Sequence, residues 1–384
     1  MRILFDLVTT QYFVGGAQEY IRRVFQSLLA LQPQGGFEII AAHDSSVGHY
    51  AYDDLRPESV RPLVADVVDL RGRRLPDVVS QYAIDTLFIG CAQYWGRLYD
   101  VSTLTCRVVT VIHDLCDHEL EDSHITSYLR LGSPLRLLKK ALRHLLGVDR
   151  RMLSRLDGFV ALARQNPQAC FVTVSDFSRY SIAYHLAIPE ERITTLYSPE
   201  RGYGETQPVA DATLRQLIEG GDPYILMLGG NREMKNTAKA VRAFRRFVKR
   251  YPQYRLLTVG YLQSECPQHV ITGYLSESDL QQAYAHCSAF LFPSLFEGFG
   301  YPPLEAMSFA KPVLAANVTS IPEVLGEAPI YFSPFYTSDI YAALCRFASA
   351  DAQTLSDRSR QAWQRTAERQ HRDLDTLLQL IVTP

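Results

Sequence analysis

Short apolar, β-rich runs that alternate with helical stretches, stop, and then resume are the feature that most narrows what this chain can fold into. Such runs lie at residues 3–8, 37–42, 86–90, 108–113, 171–175 and 193–197. Between the first two, Tyr20, Val24, Leu28 and Leu31 recur at helical spacing within residues 17–31. Strands alternating with helices imply a parallel sheet covered on both faces. The texture then breaks at residues 198–223, where Pro199, Gly202, Gly204, Pro208, Gly220 and Gly221 mark a linker with room for one helix. Strand runs resume at 224–228, 254–259, 270–273, 289–292 and 313–316, with helical patterns at 236–251, 277–286 and 303–309. The expectation is an α/β protein of two Rossmann-like domains, residues 1–198 and 223–355, joined by a linker at 199–222. Trp363, Ala367, Leu374, Leu377 and Ile381 form one stripe in the tail. It predicts a packing helix over 356–384 that reaches back to the N-terminal domain.

A chain of 384 residues suits two domains that each bury a core. Its net charge of −2 makes the whole molecule a poor match for nucleic acid, so any anion must be held locally. The seven cysteines form no CxxC pair, and an odd count argues for a reducing compartment. Charges interrupt the opening MRILFDL before a signal-peptide core forms, and no run of about 18 apolar residues exists. The expected location is the cytoplasm, with peripheral attachment to the inner face of the cell membrane as a second possibility.

The most informative stretch is residues 292–307, FPSLFEGFGYPPLEAM. A strand ends near Phe292, a glycine-containing loop follows, and Pro302 and Pro303 suit a helix start. That reading puts Glu297 in the loop and Glu305 in the first turn of the helix. Gly298 and Gly300, on either side of Phe299, let backbone approach a ligand closely. Free N–H groups and the positive helix end favour a phosphate. Two carboxylates beside an anion site make sense if they accept hydrogen bonds from ribose and sugar hydroxyls on either side of a diphosphate. Residues 228–236, LGGNREMKN, repeat the strand–glycine–helix device, with Arg232 and Lys235 available to neutralise a diphosphate. Residues 14–18, VGGAQ, place it again at the first strand of the chain.

With these segments in order, the chain resembles the family-4 retaining glycosyltransferases of the GT-B fold. That family's two glutamates, separated by seven intervening residues, are matched by Glu297 and Glu305. The similarity continues through residues 311–329 (KPVLAANVTSIPEVLGEAP), 234–236 (MKN), 109–115 (VTVIHDL) and 174–179 (VSDFSR). Within the family it looks closest to bacterial enzymes of surface-polysaccharide assembly that use GDP-mannose, a UDP- or dTDP-sugar being the alternative.

The resemblance implies two domains facing across a cleft and a nucleoside-diphospho-sugar as substrate, with no cofactor and no bound metal. Glu305 would hold the donor ribose and Glu297 would face the transferred sugar. Lys235 would bind the diphosphate as the nucleotide leaves. Gly16 would lie near the phosphates or the acceptor, and His113 near the sugar. Gly298, Phe299 and Gly300 would line the donor site. The chain departs from the family at Gly230, where an arginine is usual and for which Arg232 would substitute. It departs again at residues 308–311 (SFAK), and residues 161–169 read as added sequence near the acceptor site.

Other features carry less. His113, Asp114, Cys116, Asp117 and His118 match no common metal-site spacing. Asp373 and Asp375 resemble a metal-binding DxD, but inside a helical pattern they read as a solvated face. Ser133 and Pro134 open a stretch through Arg155 with leucines on one face and basic residues on another. It suits either a lipid surface beneath a saccharide or lipid-linked saccharide acceptor, or plain core packing. Two rivals stand against the transferase. One is a catalytically degenerate partner subunit, which the Gly230 departure favours. The other is a dinucleotide oxidoreductase, disfavoured because residues 298–303 lack the third glycine of the fingerprint.

Overall fold

Strand β1 (Arg2–Asp6) stops where the first carboxylate enters the run. Sequence patterning carries this strand to residue 8, but Asp6 accepts hydrogen bonds from the Thr9 amide (3.0 Å) and the Thr9 hydroxyl (2.6 Å). Those bonds turn Val8–Gln11 into a 3₁₀ helix. The computed structural model describes residues 1–11, 15–120, 154–203, 207–229, 233–261 and 263–383. Its chain divides into two units. The first holds Met1–Glu119, the described residues from 154 to Glu200, and those from Arg369 on, while the second holds Arg201–Glu368.

In the first unit β1 joins β2 (Glu38–His43), β3 (Asp66–Asp69), β4 (Thr86–Ile89), β5 (Arg107–Val111), β6 (Cys170–Thr173) and β7 (Ile193–Thr195). Their order is β3-β2-β1-β4-β5-β6-β7, every pairing parallel. Ile3, Leu4 and Phe5 are buried in succession, as expected of a strand covered on both faces. Helix α1 (Gly16–Gly35) buries Tyr20, Val24 and Leu28 and ends at Gly36 in the left-handed region, φ 61°. Gly90 makes room for this helix, since a Cβ there would sit 2.1 Å from Ile21 Cγ1.

Residues 161–169, read as added sequence, form the end of a helix and its link into β6. Helix α2 (Asp157–Gln165) buries Phe159 and Leu162 and leads into β6. Just after it, Asn166 Nδ2 donates to the Leu104 and Cys106 carbonyls at 3.0 and 2.9 Å. Strand β3, DVVD, was not anticipated. Two apolar residues between aspartates give no run, and pairing with β2 supplies what the local sequence lacks.

The second unit repeats the plan with β8 (Tyr224–Leu228), β9 (Arg255–Val259), β10 (His269–Thr272), β11 (Ala289–Phe292), β12 (Val313–Ala316) and β13 (Ile330–Phe332). The order is β10-β9-β8-β11-β12-β13, again parallel. Each sheet reverses its direction of growth once, between β1 and β4 in the first and between β8 and β11 in the second. Ligands of such sheets bind beyond the carboxyl ends of the strands that flank this switch point.

The tail forms a helix, Ala352–Val382. In the second unit its Thr366 Oγ1 donates to the Val324 carbonyl at 3.0 Å. In the first, Gln370 Nε2 donates to Ser198 O (2.7 Å) and Arg107 Nε to Leu380 O (3.3 Å). Asp373 is therefore not on a solvated face, because it accepts the Tyr197 N–H at 2.8 Å and pairs with Arg369 at 3.4 Å. Among the described residues no helix is long and apolar enough to cross a membrane.

Candidate active site

The two loops that leave β8 and β11 are stitched together in the second unit. The Leu295 N–H donates to the Met234 carbonyl at 2.8 Å. Lys235 closes a 3₁₀ turn, Glu233–Lys235, and Asn236 then takes the left-handed conformation, φ 57°, as N-cap of helix α3 (Thr237–Phe247). Asn236 is pinned there because its Nδ2 donates to Pro334 O at 2.9 Å. Gly229 is required by contact, since a Cβ would lie 2.7 Å from Thr237 Oγ1 and 3.0 Å from Thr258 Cγ2. The result brings Lys235 Nζ to 2.6 Å from Glu297 Oε1, with the ammonium 5.5 Å from the centre of the Phe292 ring.

Glu297 is held from a third loop. Its N–H donates to Thr319 Oγ1 at 3.2 Å, and Ser320 Oγ donates to the Glu297 carbonyl at 2.8 Å. Thr319 takes a left-handed φ of 51°, a conformation that costs a β-branched residue free energy and is common at functional loops. The Lys235 and Glu297 side chains are 20% and 15% exposed, so the pair is sheltered yet reachable. A lysine ammonium in that setting keeps much of its field.

Gly300 takes a φ of 99°, which side chains rarely adopt, and it precedes helix α4 (Tyr301–Ser308) with prolines in its first turn. Gly298 is not left-handed. The Phe299 ring is buried and meets Tyr301 edge-on at 5.4 Å. Glu305 is the fifth residue of α4, so it lies in the second turn and not the first. Its carboxylate is almost closed to solvent at 5% exposure. Arg201 Nη1 donates to Oε1 at 3.2 Å and the Tyr284 hydroxyl to Oε2 at 2.9 Å. Burial first, and then the Glu305 charge, push the phenols of Tyr284 and Tyr203 well up, so both stay protonated.

His113 and Gly16 belong to the first unit, at the carboxyl ends of its strands. Gly16 opens α1, and the Glu19 N–H closes the first turn on the Gly15 carbonyl at 3.1 Å. Buried Asp6 accepts the Gly90 N–H at 3.0 Å, and the Gly90 carbonyl faces His113 Nε2 at 2.9 Å. A carbonyl only accepts, so Nε2 carries the proton and Nδ1 keeps its lone pair. The ring meets Tyr20 edge-on at 5.0 Å. Burial pushes the His113 pKa down to about 4, against the Gly90 bond, which favours protonation. Gly230 and Arg232 lie outside the described residues, as do Asp117's side chain and residues 133–153 of the basic stretch. Among the described residues no three His, Cys, Asp or Glu side chains converge as a metal site.

A pH dependence follows. The unfolded chain protonates His113 near the ordinary value of 6.5, while the folded chain resists to about 4. Stability is full above pH 6.5 and falls as pH drops toward 4, by up to roughly 3 kcal/mol from this group. His269, also pushed down to about 4 by burial, acts in the same direction. Its tautomer is set by the Glu265 N–H donating to Nδ1 at 3.2 Å, with Nε2 3.0 Å from Thr258 Oγ1. Thermal melts from pH 7.5 to 4.5 should show a falling midpoint, and His269→Gln should flatten that slope.

Sequence reasoning missed Arg201, Tyr284 and Asp6. Nothing local marks them, since each acquires its role from a partner distant in sequence: 104 residues for Arg201 and Glu305, 84 for Asp6 and Gly90.

Residues 212–369 match the family model described as "Glycosyl transferases group 1". O-antigen chain mannosyltransferase B of Escherichia coli is 33% identical over 184 residues, 42% of this chain and 47% of the relative. The chain thus spans about half the length of this curated relative. The crystal structure of WaaG, a glycosyltransferase involved in lipopolysaccharide biosynthesis, superposes with a TM-score of 0.64 at 14% identity, over 98% of this chain and 99% of that one. Anabaena Alr3699/HepE in complex with UDP-glucose gives 0.62 at 15%, over 99% and 98%. The fold is therefore GT-B.

Proposed function

We propose that this GT-B chain, with its glycosyl transferases group 1 domain over residues 212–369, moves a sugar from a nucleoside-diphospho-sugar to a saccharide or lipid-linked saccharide acceptor. The observation that carries the reading is the Lys235–Glu297 pair at the carboxyl ends of β8 and β11, the strands flanking the switch point. GDP-mannose is the favoured donor, supported by the mannosyltransferase relative, and surface-polysaccharide assembly is the process. The HepE complex supports a nucleotide-sugar as the ligand class.

In this reading Lys235 and Arg232 bind the diphosphate, and Lys235 stabilises the charge that grows as the nucleotide leaves. Gly230, Gly298, Phe299 and Gly300 line the donor site, and Glu305 accepts from the ribose hydroxyls. Glu297 accepts from hydroxyls of the transferred sugar. His113, neutral with Nδ1 as acceptor, takes a further sugar hydroxyl, and Gly16 opens the phosphate or acceptor side. The reaction retains anomeric configuration without a metal, the leaving diphosphate acting as base for the incoming hydroxyl. The basic stretch 133–155 is the segment we assign to contact with anionic lipid on the inner face of the cell membrane.

The test is thermal unfolding with GDP, UDP, dTDP and NAD in parallel. A ligand at a hundred times its Kd stabilises by about 2.7 kcal/mol, which raises the midpoint by several degrees. A shift with one nucleoside diphosphate, followed by transfer from that nucleotide's sugar, is the expected result. No shift with any of the three would overturn the reading.

A further inference from the structure

Glu305 is a carboxylate with its two oxygens already engaged, one by Tyr284 and one by Arg201. The two partners are unequal. Tyr284 is fully buried on helix α5 (Glu277–His286), and its neutral hydroxyl sits at 2.9 Å. Arg201 is 24% exposed, lies on a segment without regular secondary structure, and stands 3.2 Å away. A guanidinium–carboxylate contact ordinarily closes to about 2.7–2.9 Å. The charged partner is therefore the looser one, and it stands on the side open to solvent. It also has a second seat, the face of the Tyr203 ring, whose centre is 5.6 Å from the guanidinium carbon.

We propose that Arg201 and the donor ribose compete for the same Glu305 oxygen, so that nucleotide binding breaks the Arg201–Glu305 pair while Tyr284 stays and orients the carboxylate. The inference rests on the role given above to Glu305. A ribose diol offers two hydroxyl donors and needs both carboxylate oxygens within reach. At 5% exposure it gains the outer one only if Arg201 moves. A carboxylate this buried needs both oxygens partnered, and the guanidinium serves the oxygen that Tyr284 does not whenever the diol is absent. Arg201 thereby weakens nucleotide binding while holding the Glu305 carboxylate in place.

The experiment is calorimetric titration of GDP, UDP and dTDP, and of the 2′,3′-dideoxy form of whichever binds, into wild type, Arg201→Met and Arg201→Gln. Methionine removes the charge and keeps most of the stem. Glutamine keeps a donor near Glu305 and guards against a variant that does not fold. The expected result is an affinity roughly tenfold tighter for Arg201→Met than for wild type, with Arg201→Gln between them. The dideoxy nucleotide, which lacks the displacing hydroxyls, should bind all three proteins alike. Equal or weaker binding by the folded variants would overturn the competition and leave the transferase reading intact. Failure of every nucleoside diphosphate to bind wild type would remove both.

Discussion

Replacing Lys235 with methionine is expected to lower kcat/KM for sugar transfer by about two to three orders of magnitude, with most of the loss in kcat. Methionine keeps an apolar stem beside Phe292, whose ring the ammonium approaches at 5.5 Å, so packing changes little. What goes is a cation in a sheltered site, 2.6 Å from Glu297. A diphosphate gains negative charge as its bond to the sugar breaks, so the ammonium binds the transition state better than the ground state. The loss is compounded because Glu297 would then face the diphosphate with its charge uncompensated. Lys235→Arg should recover only part of the rate, since the planar guanidinium is bulkier and spreads its charge over several nitrogens. Rates under saturating donor decide the matter, and an unchanged kcat in Lys235→Met would remove this residue from the chemistry.

The two sheets were legible because their central strands are apolar on both faces. Tyr224–Leu228, Ala289–Phe292 and Val313–Ala316 fall where the sequence puts them. The edges were not. DVVD at β3 and IYF at β13 are too short to announce themselves, and only pairing with a neighbour makes them strands. In the first unit most runs overshoot at their carboxyl ends. The runs 3–8 and 108–113 extend past Asp6 and Val111, where the strands end and their loops begin.

The spacing of Glu297 and Glu305 singled out a candidate donor segment, yet it did not say what each carboxylate touches. Lys235 could be matched to Glu297 only through the Leu295–Met234 bond, which brings two loops together from different strands. Arg201 stands in a stretch whose prolines and glycines read as a connector. Tyr284 is one more aromatic in an ordinary amphipathic helix. Asp373 looked solvated because helical periodicity reports which face a residue occupies, and Tyr197 happens to meet that face.

Glu305→Ala is expected to raise KM for the donor by at least one to two orders of magnitude while kcat falls less. The contrast with Lys235 is physical. With Glu305 in the proposed role, the ribose hydroxyls would hydrogen-bond it equally well before and during bond cleavage, so their loss would be uniform binding energy and would show mainly in KM. Truncation also strips Arg201 and Tyr284 of the acceptor they share. The buried Tyr284 phenol left without it should lower the thermal midpoint, because an unpaired buried polar group costs about 1–3 kcal/mol. Glu305→Gln separates the two effects. It keeps the shape and one acceptor oxygen, so the midpoint should largely recover. An amide could not match a carboxylate that accepts from both ribose hydroxyls, as Glu305 is proposed to do, so much of the KM defect should persist. Measured with the nucleotide-sugar and its 2′,3′-dideoxy form, wild type should prefer the natural donor and Glu305→Ala should lose that preference. A preference that survives in Glu305→Ala would place the ribose elsewhere in the site.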